Sequence, residues 1–248
     1  YDSSGGGSGG SIYLTTGGLE GAGVVAANGG DGNSTGYDGG AGGGGRIALY
    51  YATSTFTGST TAFGGSGASL SESGAAGTVY LHGPDSTYGD LVIDNNDQVT
   101  EALTIATGTD THIFDTVTLK NKGAYTIPTS TTLTYTTLDW TNDGILVERG
   151  TINFPSSLTV PAGATYVADR PRSFTNLTVN GTTTHSPNTD TREYSLDLTT
   201  TGNLTIASGG SIDVSGNGYQ GGSGASVAGA GPGGRSGHRR PHARPVRR

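Results

Sequence analysis

The 248-residue sequence predicts an all-β fold, a parallel β-helix (β-solenoid) with Gly-rich turns and almost no helix. Three observations predict it. The first is the residue palette, with 46 Gly and 39 Thr, 31% hydrophobic residues and 13% charged residues. Thr with Val, Ile and Tyr furnishes strands, and Gly with Asn, Asp and Ser furnishes turns. A disordered chain is poor in apolar residues but rich in charge, and this one is poor in both. The second is a recurring triplet in which a middle residue separates two apolar ones. The third is that no segment carries a sustained 3.6-residue apolar stripe.

The triplets justify the strands in order. They begin with Ile12/Leu14, Ile47/Leu49, Val79/Leu81, Leu91/Ile93, Leu103/Ile105, Val117/Leu119 and Leu133/Tyr135. They continue with Ile145/Val147, Ile152/Phe154, Leu158/Val160, Leu177/Val179, Leu196/Leu198, Leu204/Ile206 and Ile212/Val214. The middle residue is Thr, Asn or Asp in nine of the fourteen, as in "LTI" and "IDV". Alternation of period two puts both apolar side chains on one face and the middle residue on the other. Triplets start 8 residues apart from Leu196 onward and mostly 12 to 19 apart between Val79 and Leu196. Regular spacing also suits a sandwich. The low apolar content favours a narrow core in which each repeat buries its few apolar residues against its neighbours.

Glycine divides the chain. Residues 1–45 hold 19 Gly, residues 101–200 hold 6 and residues 201–234 hold 12. The expected organisation is a Gly-rich segment over 1–93, Thr-rich repeats over 94–200, the start of a further Gly-rich segment over 201–234 and a basic tail over 235–248. Six of the 13 basic residues lie in that tail, leaving 7 basic against 20 acidic residues before it, a balance of −13. Such a body repels nucleic acid and anionic membrane. "RSGHRRPHARPVRR" reads as a Gly-rich frame translated one step out of register, or as a basic arm. With no Cys, the chain offers neither disulfides nor a thiolate metal site. No apolar run approaches the roughly 18 residues of a spanning helix, so no membrane insertion is expected. A start at Tyr1 suggests an excised or mature piece, with targeting information upstream.

Several stretches invite a chemical reading. "GGAGGGGRIALYY", from Gly39, has the glycines of a phosphate loop. It lacks the Lys-Ser/Thr of a P-loop and runs into a strand rather than a helix N-terminus. The alternative is tight turns with positive φ, or close backbone approach. "NGGDGNSTGYDGG" places Asp31, Asn33 and Asp38 together as calcium candidates and resembles the nonapeptide repeats of secreted toxins. Ser34 stands where that pattern has Asp, and calcium takes six to eight oxygens. The five His residues show no metal spacing. Trp140 is a candidate sugar-stacking ring or a packed core residue. Asn33, Asn176, Asn180 and Asn203 head N-x-S/T triplets. Thr-dense "TSTTLTYTTLDWT" has the composition of an ice-binding face.

"HSPNTDT", His185 to Thr191, resembles the Ser-Pro-Asn-Thr-Asp motif of the polygalacturonases. That resemblance implies a right-handed β-helix and a catalytic role for Asp190. The family's Asp-Asp pair, Gly-His-Gly and Arg-Ile-Lys are absent from this sequence. Inverting hydrolysis needs two carboxylates across the scissile bond, so a polar turn is the competing reading. "GGSGGSIYL", "GGAGGGGRIALYY", "GTVYL" and "GSIDVSGNGY" resemble the Gly-rich parallel β-helix segments of large bacterial surface and adhesin-like proteins. This implies secretion, and attachment or matrix structure, without catalytic residues. The expectation is a non-enzymatic, extracellular or cell-surface structural or adhesive segment. It would need no cofactor, and its partners would be surface polysaccharide or neighbouring copies of itself. A carbohydrate-active enzyme or sugar-binding module, and an ice-binding protein, are the alternatives.

Overall fold

The computed structural model describes residues 4–33, 39–68, 72–106, 108, 110–222 and 229–232. Within them the protein is all-β, with no helix. The strands are β1 (Ser11–Leu19), β2 (Val24–Ala26), β3 (Arg46–Ser54), β4 (Ser59–Thr61), β5 (Thr78–His82), β6 (Asp90–Asp94) and β7 (Thr104–Ile105). There follow β8 (Thr111–Lys120), β9 (Ala124–Ile127), β10 (Thr132–Trp140), β11 (Ile145–Glu148), β12 (Thr151–Ile152), β13 (Ser157–Val160) and β14 (Thr165–Ala168). The last are β15 (Arg172–Phe174), β16 (Asn176–Val179), β17 (Thr182–Thr184), β18 (Leu198–Thr200), β19 (Leu204–Ile206) and β20 (Ser211–Ile212). Each of the fourteen triplets overlaps a strand. The six other strands, β2, β4, β9, β14, β15 and β17, carry none of them.

One sheet runs β1-β3-β5-β6-β8-β10-β12 and a second β20-β17-β14-β11-β9-β7. Smaller sheets are β13-β16-β19, β15-β18 and β2-β4. Every ladder is parallel except that of β5 on β6. From β8 to β12 successive strands alternate between the two large sheets, so partners are far apart in sequence. Thr111 pairs with Thr132, Ala124 with Ile145, and Ser157 with Asn176, offsets of 21, 21 and 19 residues. Some of the shorter steps in the sequence, such as Leu133 to Ile145, lead from one sheet to another.

The triplets do what alternation predicts in the middle of this stack. Leu91, Ile93, Val117, Leu119, Leu158, Val160, Leu177 and Val179 are buried, whereas Thr118, Thr159 and Thr178 are not. They meet Tyr125, Ile127, Leu146 and Tyr166 of the second sheet in one cluster. Each fully buried Leu or Ile stabilises by roughly 1.5–3 kcal/mol. At the end of the stack Leu204 and Ile206 are about half exposed, for among the described residues no further strand pairs with β19. Corners after β6, β8 and β10 use paired left-handed residues, Asn96/Asp97, Asn121/Lys122 and Asn142/Asp143. Asn and Asp tolerate that region. The corners bond to one another, Asp97 N–H to Asn121 O at 3.1 Å and Lys122 N–H to Asn142 O at 3.3 Å.

The Gly-rich part departs from the expected turns. None of Gly39, Gly40, Gly42, Gly43, Gly44 and Gly45 has positive φ. Residues 4–10, 27–33, 39–45, 61–68 and 72–77 are instead extended segments bonded side by side at every third residue. Gly39, Gly42 and Gly45 donate to Asn33, Gly30 and Ala27, at 3.0, 2.9 and 2.7 Å. Gly6 and Gly9 donate to Gly40 and Gly43, Gly65 and Ala68 to Gly42 and Gly39, and Ala41 and Gly44 to Glu72 and Ala75. A period of three is that of the polyproline-II helix, whose backbone bonds only outward. Segments can approach this closely only without side chains between them. A Cβ on Gly39, Gly42 or Gly45 would lie 2.2, 2.0 or 1.9 Å from the carbonyl oxygen of Ser4, Gly7 or Gly10. A small second core, Ala27, Ile47, Leu49, Ala62 and Val79, sits beside this bundle.

The two parts join where β5 and β6 pair antiparallel, Val79 opposite Val92 and Leu81 opposite Asp90. The buried amide of Asn95 braces the joint. Its Oδ1 accepts from Gly64 N–H at 2.9 Å, and its Nδ2 donates to Gly74 O at 3.1 Å. Gly42→Ala is expected to destabilise the chain by about 2–3 kcal/mol through overpacking. Gly10→Ala, with open space at its Cβ, should stay within about 0.5 kcal/mol. Urea midpoints for the two variants check this, and equal effects would contradict the packing described.

Candidate functional site

Of the calcium candidates, Asp31 and Asn33 belong to the glycine bundle. Asp31 projects from the 27–33 segment, and its Oδ1 accepts the Ser66 N–H at 2.7 Å; Asn28 does the same for Phe63 at 3.0 Å. These side chains thus continue the lateral bonding between segments. Asn33 takes part through its backbone, donating to Ser4 O at 3.1 Å and accepting from Gly39. Asp38 and Ser34 lie outside the described residues, as does the basic tail. Among the described residues no cluster of three or more His, Asp or Glu is placed to hold a metal ion.

The "HSPNTDT" stretch forms the connection from β17 towards β18. His185 is buried, with Nδ1 2.7 Å from Ser186 O. Ser186 is bound through both N–H and Oγ to Asp169, at 2.6 and 2.7 Å, and Asp169 also pairs with Arg149 at 3.0 Å. Asn188 organises the loop, accepting from Glu193 and Tyr194 and donating to Tyr194 O and Asn217 O. The Ser186 hydroxyl thus donates to Asp169, whose carboxylate is in turn paired with Arg149. Asp190 is exposed. It is not among the residues lining the neighbouring cavity, which His185, Ser186, Tyr194, Arg149 and Glu101 border. Ser186 and Asn188, not Asp190, give the motif its structural role, that of a polar turn.

Trp140 packs inside. It is 3% exposed, donates from Nε1 to Gly144 O at 2.7 Å and meets Tyr166 edge to face. Near it lies a buried acid that spacing alone did not reveal. Glu148, at the end of β11, is 0% exposed. Its Oε2 accepts from the Tyr166 hydroxyl, and its Oε1 accepts from Ile152 N–H at 3.1 Å. Arg172 Nε stands 3.3 Å from Oε2, and its guanidinium lies over the Phe154 and Phe174 rings. Burial pushes the Glu148 carboxyl above its ordinary value, against the Tyr166 bond and the Arg172 charge. Sealed from solvent, the group is architectural.

What the structure brings together instead is a strip of aromatic rings. Tyr13 on β1, Tyr50 on β3 and Tyr80 on β5 project from the face opposite the buried Ile47, Leu49 and Val79. Their centroids step by 5.3 and 5.6 Å, and Phe114 on β8 lies 6.2 Å beyond Tyr80. His82 stacks on Tyr50 at 5.6 Å, and His112 on Phe114 at 6.5 Å. Two adjoining clefts follow this strip. One, of about 440 Å³, is bordered by Tyr13, Tyr50, Tyr80, Arg46 and Thr78. The other, of about 250 Å³, shares Arg46, Thr78 and Tyr80 and adds His112, Phe114 and Tyr125. The Tyr80 hydroxyl donates to Tyr88 O at 2.8 Å, anchoring the 83–89 loop. Asp115 fixes the same loop by accepting from the N–H groups of Thr87, Tyr88 and Gly89 at 2.7, 2.9 and 2.9 Å. Those bonds, that from Tyr88 foremost, hold the Asp115 carboxyl below its usual range. Burial pushes the Tyr125 phenol up to about 12 and raises Tyr80 as well. Both remain neutral hydroxyls near pH 7. The signal for this strip was the outward residue within "IYL", "ALY" and "VYL", which attention to the apolar pairs passes over.

Glu148 sets a pH dependence. Its folded carboxyl holds a proton to higher pH than the unfolded value of 4.5. Stability from that group is complete below 4.5 and is lost as pH rises through the folded value. Glu148→Gln lacks this titration. The stability of the native chain relative to that variant should therefore fall as pH rises above about 4.5, read from urea midpoints across pH; a rise would contradict the assignment. Compared with known proteins, the chain matches no family model, no curated protein and no solved structure.

Proposed function

We propose that this chain is a non-enzymatic, extracellular or cell-surface segment, a structural or adhesive stalk wound as a parallel β-solenoid. The observation that carries the reading is the repeated parallel pairing at offsets of 19 to 21 residues between β8 and β16, with apolar pairs facing one continuous core. A chain that returns beside itself at a near-constant offset builds length by repetition. The same reading takes the uncovered Leu204 and Ile206 of β19 as a surface for the next repeat. The acidic balance before the tail and the Thr-rich outer positions suit a hydrated surface that resists unspecific binding.

A sugar-binding role is the second reading, favoured by the aromatic strip and its clefts. Ice binding has less support. Thr159, Thr178 and Thr205 align in single file across β13, β16 and β19, and in the Thr-dense stretch Thr132 aligns with Thr111 and Thr151 while Thr134 meets Ile113, so the Thr-x-Thr pair there does not repeat from strand to strand.

Small-angle scattering tests the architecture. A rod-like regime with a constant cross-section is expected; a compact particle near the radius of gyration of about 18 Å for a globular chain of this length would overturn it. Incubation with pectin and a polysaccharide panel tests the absence of catalysis, with no release of new reducing ends expected. Sustained turnover would end the non-enzymatic reading.

A further inference from the structure

We propose that the cleft along Tyr13, Tyr50 and Tyr80 is a binding site for an extended neutral polysaccharide, with Arg46 as its central hydrogen-bond donor. The inference rests on the adhesive reading above and gives it a ligand class and a location. The physical case begins with the rings. Pyranose units present an apolar C–H face to aromatic π-systems, and such faces recur along a chain at about the length of one sugar. Centroid steps of 5.3 and 5.6 Å set Tyr13, Tyr50 and Tyr80 at that order of spacing across three adjacent strands. The strand ladders fix the rings' order, so little ordering cost remains for binding. Tyr13 is 74% exposed, far more than its neighbours in the strip. Its ring is the open end at which a chain would enter.

The polar groups of the cleft point the same way. Arg46 borders both clefts and is exposed. No ion pair or side-chain hydrogen bond engages its guanidinium among the described residues. Its planar fork of donors suits neighbouring sugar hydroxyls. At the far end, the Nε2 of His112 is buried without a hydrogen-bond partner among the described residues. Thr78 adds a hydroxyl between the two clefts.

Charge selects a neutral chain over an acidic one. Among the described residues Arg46 is the one Lys or Arg bordering either cleft, and Asp90 and Asp115 stand close enough to act electrostatically on Tyr80. With the balance of −13 over residues 1–234, a polyuronate would gain one favourable contact and meet repulsion elsewhere.

Titration calorimetry on the full chain with β-linked gluco-oligosaccharides of increasing length, and with oligogalacturonates, decides the matter. Affinity for the neutral series should rise with length until the rings are filled and should change little with salt. Tyr50→Ala should weaken binding about tenfold, while Tyr50→Phe keeps it within about twofold. Tyr13→Ala, at an exposed position, provides the same test without touching the core. Arg46→Gln should weaken binding about fivefold. No binding at any length, binding indifferent to Tyr50→Ala and Tyr13→Ala, or binding that requires the uronate would each overturn the proposal. A rod that binds no glucan removes the site and leaves the stalk; a compact particle that binds glucan removes the stalk and leaves the site.

Discussion

Neighbouring segments of this chain are tied side by side by backbone hydrogen bonds, in parallel ladders whose partners lie from 17 (Thr165–Thr182) to 35 (Ser11–Arg46) residues apart, and everything else in the molecule depends on that tie. A buried N–H or C=O must find a partner. Here the partner is often on another segment, as when Gly6 donates to Gly40 or Arg149 to Ile127. Two solutions share one chain. From β8 to β17 the bonds are β-ladders, and apolar pairs pack beneath them. In residues 4–77 much of the bonding occurs every third residue between bare glycine segments, with almost no side-chain core to assist. Packing there is backbone against backbone, so stability lies in the absence of side chains and is sensitive to adding even a methyl group.

This explains which parts of the fold were legible in the sequence. Triplets such as Leu158-Thr159-Val160 and Leu177-Thr178-Val179 announce half-buried strands because one face meets the core and the other does not. Strand β9 gives no such signal, since Ala124, Tyr125, Thr126 and Ile127 are all buried, and alternation vanishes when both faces are covered. Strand β17, "TTT", has no apolar residue to alternate. The run from Gly39 to Gly45 misleads for a different reason. Glycine allows positive φ and also removes a Cβ, and local sequence cannot say which property is in use. Only the position of Gly7 O and Gly10 O, more than thirty residues earlier, decides it.

The candidate residues divide along the same line. Asp31, in a stretch that reads as a metal loop, spends its carboxylate on Ser66 N–H. Asn188 and Ser186, in a stretch that reads as a catalytic motif, hold a connection in shape. Their polar side chains finish the backbone bonding where the regular pattern lapses. The aromatic strip was hidden because its members come from four strands spread over Tyr13 to Phe114. Proximity in the sheet, not in the chain, assembles it.

The reversal between β5 and β6 has a mechanical meaning. A parallel ladder between distant segments, such as β8 on β10, shares a load among many bonds at once. The β5–β6 pair is a hairpin whose three residue pairs run from Val79 opposite Val92 to Leu81 opposite Asp90. Tension between the chain's two parts meets it one pair at a time, from the open end. Braced by the Asn95 amide, it is the one ladder of the described strands whose geometry is that of a zip rather than a shear joint.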